Sequence, residues 1–117
     1  MNLKYDIDII DPVIEFSLQG KITSENDFDE LEKEVFSFLN QNYYRVIFNL
    51  EKLTHTNSSG IAFFMKTLTK TRIMGGDLLL TNVIGNVKKV FEIAKLDEVY
   101  TIFDNQEEAI KHFKDLQ

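Results

Sequence analysis

The spacing of apolar residues along this chain changes from every second position to every third or fourth and back again, and few folds accommodate that pattern. Apolar side chains alternate over Tyr5-Ile7-Ile9 and again over Ile14-Phe16-Leu18, the period of a strand with one face turned inward. Asp11-Pro12 lies between the two runs, so two strands joined by a tight turn are expected between Lys4 and Gln19. After Gly20 the period shifts. Phe28, Leu31, Val35, Phe38 and Leu39 recur at helical spacing with Glu and Lys between them. Ser24 with Asp27 three residues later resembles a capping box, so an amphipathic helix is expected from about Ser24 to Gln41.

The alternation of element types then repeats. Tyr44 to Leu50 is short, β-branched and aromatic, and apolar on both faces, as a central strand should be. Ile61, Phe64, Met65, Leu68, Ile73 and Met74 follow at helical spacing, which predicts a helix from about Ser58 to Met74, closed by Gly75-Gly76. Leu78-Leu79-Leu80 reads as another buried strand, and Val87, Val90, Phe91 and Ala94 as a short helix opened by Gly85-Asn86. Val99 to Phe103 is a candidate last strand. Asp104, with Glu107 three residues on, is a candidate cap for a final helix carrying Ala109, Ile110, Phe113 and Leu116. Strands alternating with helices after an opening hairpin define an α/β class with crossover connections and a mixed sheet of four to five strands with about four helices.

At 117 residues with no internal repeat and a single proline, one domain spanning residues 1–117 is expected, with a core that needs no staple. Ten phenylalanines predict a Phe-rich core. There are no cysteines, which excludes disulfides, thiolate metal sites and cysteine nucleophiles. Nineteen acidic residues against thirteen basic ones give a formal charge of −6, which opposes the phosphate backbone, so no nucleic-acid partner is expected. The first residues meet acids at once and lack the apolar core of a secretory signal, and no run approaches the roughly 18 apolar residues of a membrane span. A cytoplasmic protein without membrane insertion is the expectation.

Enzymatic patterns are sparse. A serine between strand and helix is the setting of the G-x-S-x-G elbow, but position 56 is Thr and Gly60 alone of the two glycines is present. His55 and His112 are the available bases, and neither belongs to a recognisable pattern, so a serine hydrolase is the weakest reading. Neither G-x-x-x-x-G-K-[ST] nor G-x-G-x-x-G occurs, and the acid pairs Glu32/Glu34, Asp97/Glu98 and Glu107/Glu108 fall on predicted exposed faces or loops. No catalytic residue, cofactor or metal site is expected.

The stretch His55-Thr56-Asn57-Ser58-Ser59-Gly60 stands out against this background. Asn, Ser and Thr are preferred helix caps, because their oxygens accept from the unpaired amides of the first turn. One cap is enough, however, and a surplus hydroxyl in solvent is open to a kinase. Phosphate there would add roughly −1.5 to −2 charge and three acceptor oxygens at a place where the helix dipole tolerates them.

"VIFNLEKLTHTNSSGIAFF", followed by "GGDLLLTNVIGNVKKVFEIAKLDEVYTIFDNQEEAI", resembles the STAS domain of bacterial anti-sigma factor antagonists, in which a strand runs through a short loop into D-S-[ST]-G and a helix. The similarity covers nearly the whole chain. It implies a STAS-type fold and a partner switch: the unphosphorylated domain binds an anti-sigma factor that is also a serine kinase, phosphorylation of the motif serine breaks the complex, and a metal-dependent phosphatase restores it. By the same resemblance Ser58 is the phosphoacceptor, Ser59 the second hydroxyl position and Gly60 the motif glycine. Asn57 departs from the family's Asp, keeping its shape and capping ability but not its charge. The alternative within the family is a noncatalytic scaffold in a stressosome-like assembly or a subunit of a lipid-transport ABC complex. Oligomeric state is left open, a homodimer included.

Overall fold

A computed structural model of the chain describes residues 3–115. Strands β1 (Leu3–Ile10) and β2 (Val13–Lys21) form the opening hairpin. A 3-10 turn (Glu25–Phe28) leads into helix α1 (Asp29–Asn40). Then come β3 (Arg45–His55), α2 (Ser58–Ile73), β4 (Asp77–Thr81), α3 (Gly85–Ile93), a second 3-10 turn (Leu96–Glu98), β5 (Ile102–Phe103) and α4 (Gln106–Asp115). The five strands lie in chain order, β1 antiparallel to β2 and the rest parallel.

That order decides where the helices go. Each crossover steps one strand further in the same direction, and crossovers of a single hand then place their helices on the same face. Leu31, Val35 and Leu39 of α1, Phe63, Phe64 and Leu68 of α2, and Val87 and Phe91 of α3 accordingly share one core with Phe16, Phe48, Leu78 and Leu80 of the sheet. Helix α4, with no further strand to reach, folds back over the opposite face and buries Ala109 and Phe113 against Val13, Ile47 and Leu79. Alternate residues of β2, β3 and β4 thus enter different cores, so these strands read as apolar on both faces.

The large core is Phe-rich. The Phe63 ring stacks on Phe28 at 4.5 Å and lies 6.1 Å from Phe48, and Phe64 meets Phe48 at 5.9 Å and Phe91 at 5.3 Å edge-on. Such pairs contribute about 0.5–1.5 kcal/mol each beyond the area they bury. Both rings follow Ser58 within two turns, so they anchor the start of α2 to the sheet.

Element boundaries differ from the expected ones where tertiary contacts intervene. Helix α1 is preceded by a 3-10 turn, and the Asp27 carboxylate accepts from the Thr23 and Ser24 amides at 2.9 and 3.1 Å. Strand β3 runs on to His55 through polar residues, because β2 continues to pair with it as far as Lys21↔His55 after β4 has ended opposite Asn49. Strand β5 shrinks to two residues, since the Val99 and Tyr100 amides donate back to the Leu96 carbonyl at 3.2 and 2.9 Å and Tyr100 is buried with its hydroxyl donating to the Phe64 carbonyl at 2.6 Å. The last helix is capped by Asn105, which accepts from the Glu108 amide at 2.9 Å, while the Glu108 carboxylate accepts from the Asp104 amide at 3.2 Å. The expected Asp104/Glu107 pair is displaced by one position. Leu116 lies outside the described residues.

Gly75 and Gly76 close α2 as expected, donating to the Arg72 and Thr71 carbonyls at 3.0 Å each. Gly75 adopts φ +89°, a conformation glycine takes at no steric cost. Gly76 is needed for a different reason: a Cβ there would lie 2.0 Å from the Tyr44 carbonyl oxygen.

Candidate functional site

The motif sits where β3 hands the chain to α2, at the carboxyl end of the parallel strands. The Ile22 amide donates to the His55 carbonyl at 3.0 Å, tying the β2 exit to the end of β3. Thr56 then turns inward and Asn57 is extended (φ −146°, ψ −169°). The Asn57 side chain accepts from the Gly60 amide at 3.1 Å, and its carbonyl accepts from the Ile61 amide at 3.0 Å. Asn57 is therefore the N-cap of α2.

With the cap taken by Asn57, the hydroxyls divide. Ser58 is exposed, and its side chain forms no hydrogen bond with the other described residues. Ser59 is half-buried and lines a hollow of about 270 Å³ with Phe28, Asp29, Glu32 and Phe63. Gly60 is buried, and a Cβ at that position would lie 2.0 Å from the Thr56 Oγ1 and 3.3 Å from the Ile22 Cγ2. The glycine thus admits Thr56 and Ile22 beneath the first turn of α2. Thr56 was not foreseen as part of this arrangement. Its role arises from a close approach across the cap, for which a sequence carries no periodic signal.

Neither histidine serves Ser58. The His55 Nδ1 is 2.9 Å from the Thr54 Oγ1, and His112 stands on α4, 5.2 Å from the Phe103 ring on the opposite side of the sheet. Asp27, in the 3-10 turn before α1, is held below the usual carboxylate range, chiefly by the Thr23 amide. Among the described residues no group of three or more His, Cys, Asp or Glu could hold a metal ion, and no helix is long and apolar enough to cross a membrane.

The site is thus an exposed hydroxyl on a capped, ring-anchored helix start at the carboxyl end of a mixed α/β sheet. The STAS domain family model matches residues 4–109, and the chain belongs to that family. BtrV of Bordetella bronchiseptica, named as an anti-sigma factor antagonist, is 28% identical over 112 residues, covering 96% of each chain. The unphosphorylated form of the anti-sigma factor antagonist SpoIIAA superposes with a TM-score of 0.83 at 20% identity, over 96% of this chain and 97% of that one. The phosphorylated form of Bacillus SpoIIAA gives 0.74 at 19% identity, over 94% and 99%. These two likenesses establish a shared fold.

Proposed function

We propose that this protein is an anti-sigma factor antagonist, a single STAS domain that acts in the cytoplasm as a phosphorylation-controlled partner switch. Unphosphorylated, it holds an anti-sigma factor that is also its serine kinase. Phosphate on Ser58 breaks that complex, and a metal-dependent phosphatase restores it. The protein is then substrate and ligand of other proteins, not a catalyst. The observation that carries this reading is the division of labour at the α2 start: Asn57 caps the helix, leaving the Ser58 hydroxyl exposed and without a structural task. The naming of BtrV as an antagonist and the existence of a phosphorylated SpoIIAA support it from outside the chain.

The energetics are adequate. A phosphate at the first residue of α2 meets the amide end of the helix dipole, so the fold tolerates it. In a desolvated interface the same dianion costs several kcal/mol unless the partner offers new donors, and about 1.4 kcal/mol suffices for each tenfold loss of affinity. Incubation with the candidate kinase and ATP, followed by mass-spectrometric mapping, should place phosphate on Ser58. Phosphate on Ser59 alone, or none, refutes the assignment. Ser58→Ala should stay binding-competent with stability within about 0.5 kcal/mol of the parent, and Ser58→Glu should bind more weakly.

A further inference from the structure

Helix α2 has its polarity partly inverted. Thr67 and Thr71 on its inner face are fully buried. The Thr67 hydroxyl bonds the Phe63 and Phe64 carbonyls at 2.9 and 3.1 Å, and the Thr71 hydroxyl bonds the Thr67 carbonyl at 2.7 Å. On the outer face, Met65 and Ile73 are 36% and 75% exposed. They stand eight positions apart, about 12 Å along the axis, with Thr69 between them bonded to the Met65 carbonyl at 2.9 Å. Phe36 of α1 closes one side of a shallow, open groove of about 590 Å³ along α2.

The rim of this groove carries the opposite charge to the rest of the chain. Lys66 and Lys70 line it, and the one carboxylate beside them, Glu32, is taken up by Lys66, although the chain has a formal charge of −6. The Lys70 ammonium stands 6.0 Å over the Phe36 ring. A second copy is a poor occupant, because a two-fold contact would set this lysine-bearing edge against an identical one whose Glu32 is already paired with Lys66. An amphipathic helix with acidic flanks fits: its apolar anchors at i, i+4 and i+7 match the Met65–Ile73 stripe, and its carboxylates meet the lysines.

We propose that this groove along α2 is a docking site for an acidic amphipathic helix of a partner protein. Met65 and Ile73 lie about 10 and 22 Å along the helix from Ser58, so the site is separate from the phosphorylatable start of α2 and does not depend on the switch proposed there.

The test is fluorescence anisotropy with a labelled, Ala-based helical peptide of about four turns, carrying Leu at i, i+4 and i+7 and Glu on both flanks. A control peptide has Lys in place of each Glu. The acidic peptide should bind with a Kd in the region of ten micromolar and at least about tenfold more tightly than the control. Ile73→Asp and Lys70→Glu should each weaken it by about tenfold, and the double variant Lys66→Glu/Lys70→Glu should prefer the control peptide. Ser58→Glu should leave the affinity unchanged. These side chains are solvent-exposed, so unchanged thermal unfolding will show that the variants keep their fold. Equal binding of both peptides, insensitivity to Ile73→Asp, or no binding up to about 1 mM overturns the proposal.

Discussion

Replacing Gly60 with Ala isolates the contact that shapes the site. The new Cβ would stand 2.0 Å from the Thr56 Oγ1 and 3.3 Å from the Ile22 Cγ2, while the Thr56 Cβ at 3.4 Å is an ordinary neighbour. The hydroxyl must move, and overpacking of this kind costs about 1–3 kcal/mol. Against it stands the helix preference of Ala over Gly, at most about 1 kcal/mol. Gly60→Ala should therefore lose up to roughly 2 kcal/mol net. The Thr56 Oγ1 is buried and has no hydrogen-bond partner, so Thr56→Ala removes both the obstacle and an unsatisfied oxygen. It should fall within about 1 kcal/mol of the parent, the relief offsetting the lost methyl. In Thr56→Ala/Gly60→Ala the clash is gone and the helix preference is realised, so the double variant should equal or exceed the parent. Urea unfolding of all four proteins gives a coupling energy of about 1–3 kcal/mol if this geometry is right. A cycle additive to within about 0.5 kcal/mol, or a double variant less stable than Gly60→Ala, would refute the reasoning.

Three further outcomes are expected. Gly76→Ala should cost about 3 kcal/mol or more, beyond Gly60→Ala, because the obstructing Tyr44 carbonyl oxygen at 2.0 Å is backbone and cannot rotate away; unfolding within 1 °C of the parent would contradict it. Asn57→Asp keeps the cap and adds charge at the positive end of α2, so it should gain about 0.3–1 kcal/mol at pH 7 and lose the gain as the pH falls through the aspartate pKa; an equal effect at pH 3 and pH 7 would rule out the dipole explanation. Glu15, buried on the α4 side, has its carboxyl raised above the ordinary range, first by burial and then by Asp8, against the opposing hydrogen bond from Gln106. An acid with a raised folded pKa destabilises the fold at neutral pH and is relieved as the pH falls through that pKa towards the unfolded value. Glu15→Gln should therefore be more stable than the parent at pH 7, with the difference shrinking towards about pH 4.3; a constant or negative difference in thermal melts would show that burial of this carboxylate is not what shifts it.

The parts of the site visible in the sequence were those carried by local chemistry. Ser58, Asn57 and Gly60 stand out because caps and glycines at a strand-to-helix junction have a meaning within a few residues. What Thr56 does was hidden, since its hydroxyl matters through a close approach to Gly60. The separate fates of the hydroxyls also depended on the fold: Ser59 faces the hollow beside Phe28 and α1, and Ser58 faces solvent. The outer groove on α2 was overlooked for the opposite reason. Met65 and Ile73 match the helical period as well as Leu68 does, and periodicity does not tell which apolar residue faces the sheet.

Hydrophobic period, turn residues and caps determined the kinds and order of the elements, because each is set by interactions between residues a few positions apart. The α/β class and the opening hairpin follow from these alone. Where elements end was decided by their neighbours: β3 persists to His55 only because β2 pairs with it there, and β5 is cut to two residues by the burial of Tyr100 against the Phe64 carbonyl. Tertiary structure likewise decided that α4 covers the face opposite the other three helices, and that one serine is left free at the carboxyl end of the sheet. Such outcomes depend on contacts between residues distant in the chain, whose strength comes from burial and hydrogen bonding that no short window of sequence contains.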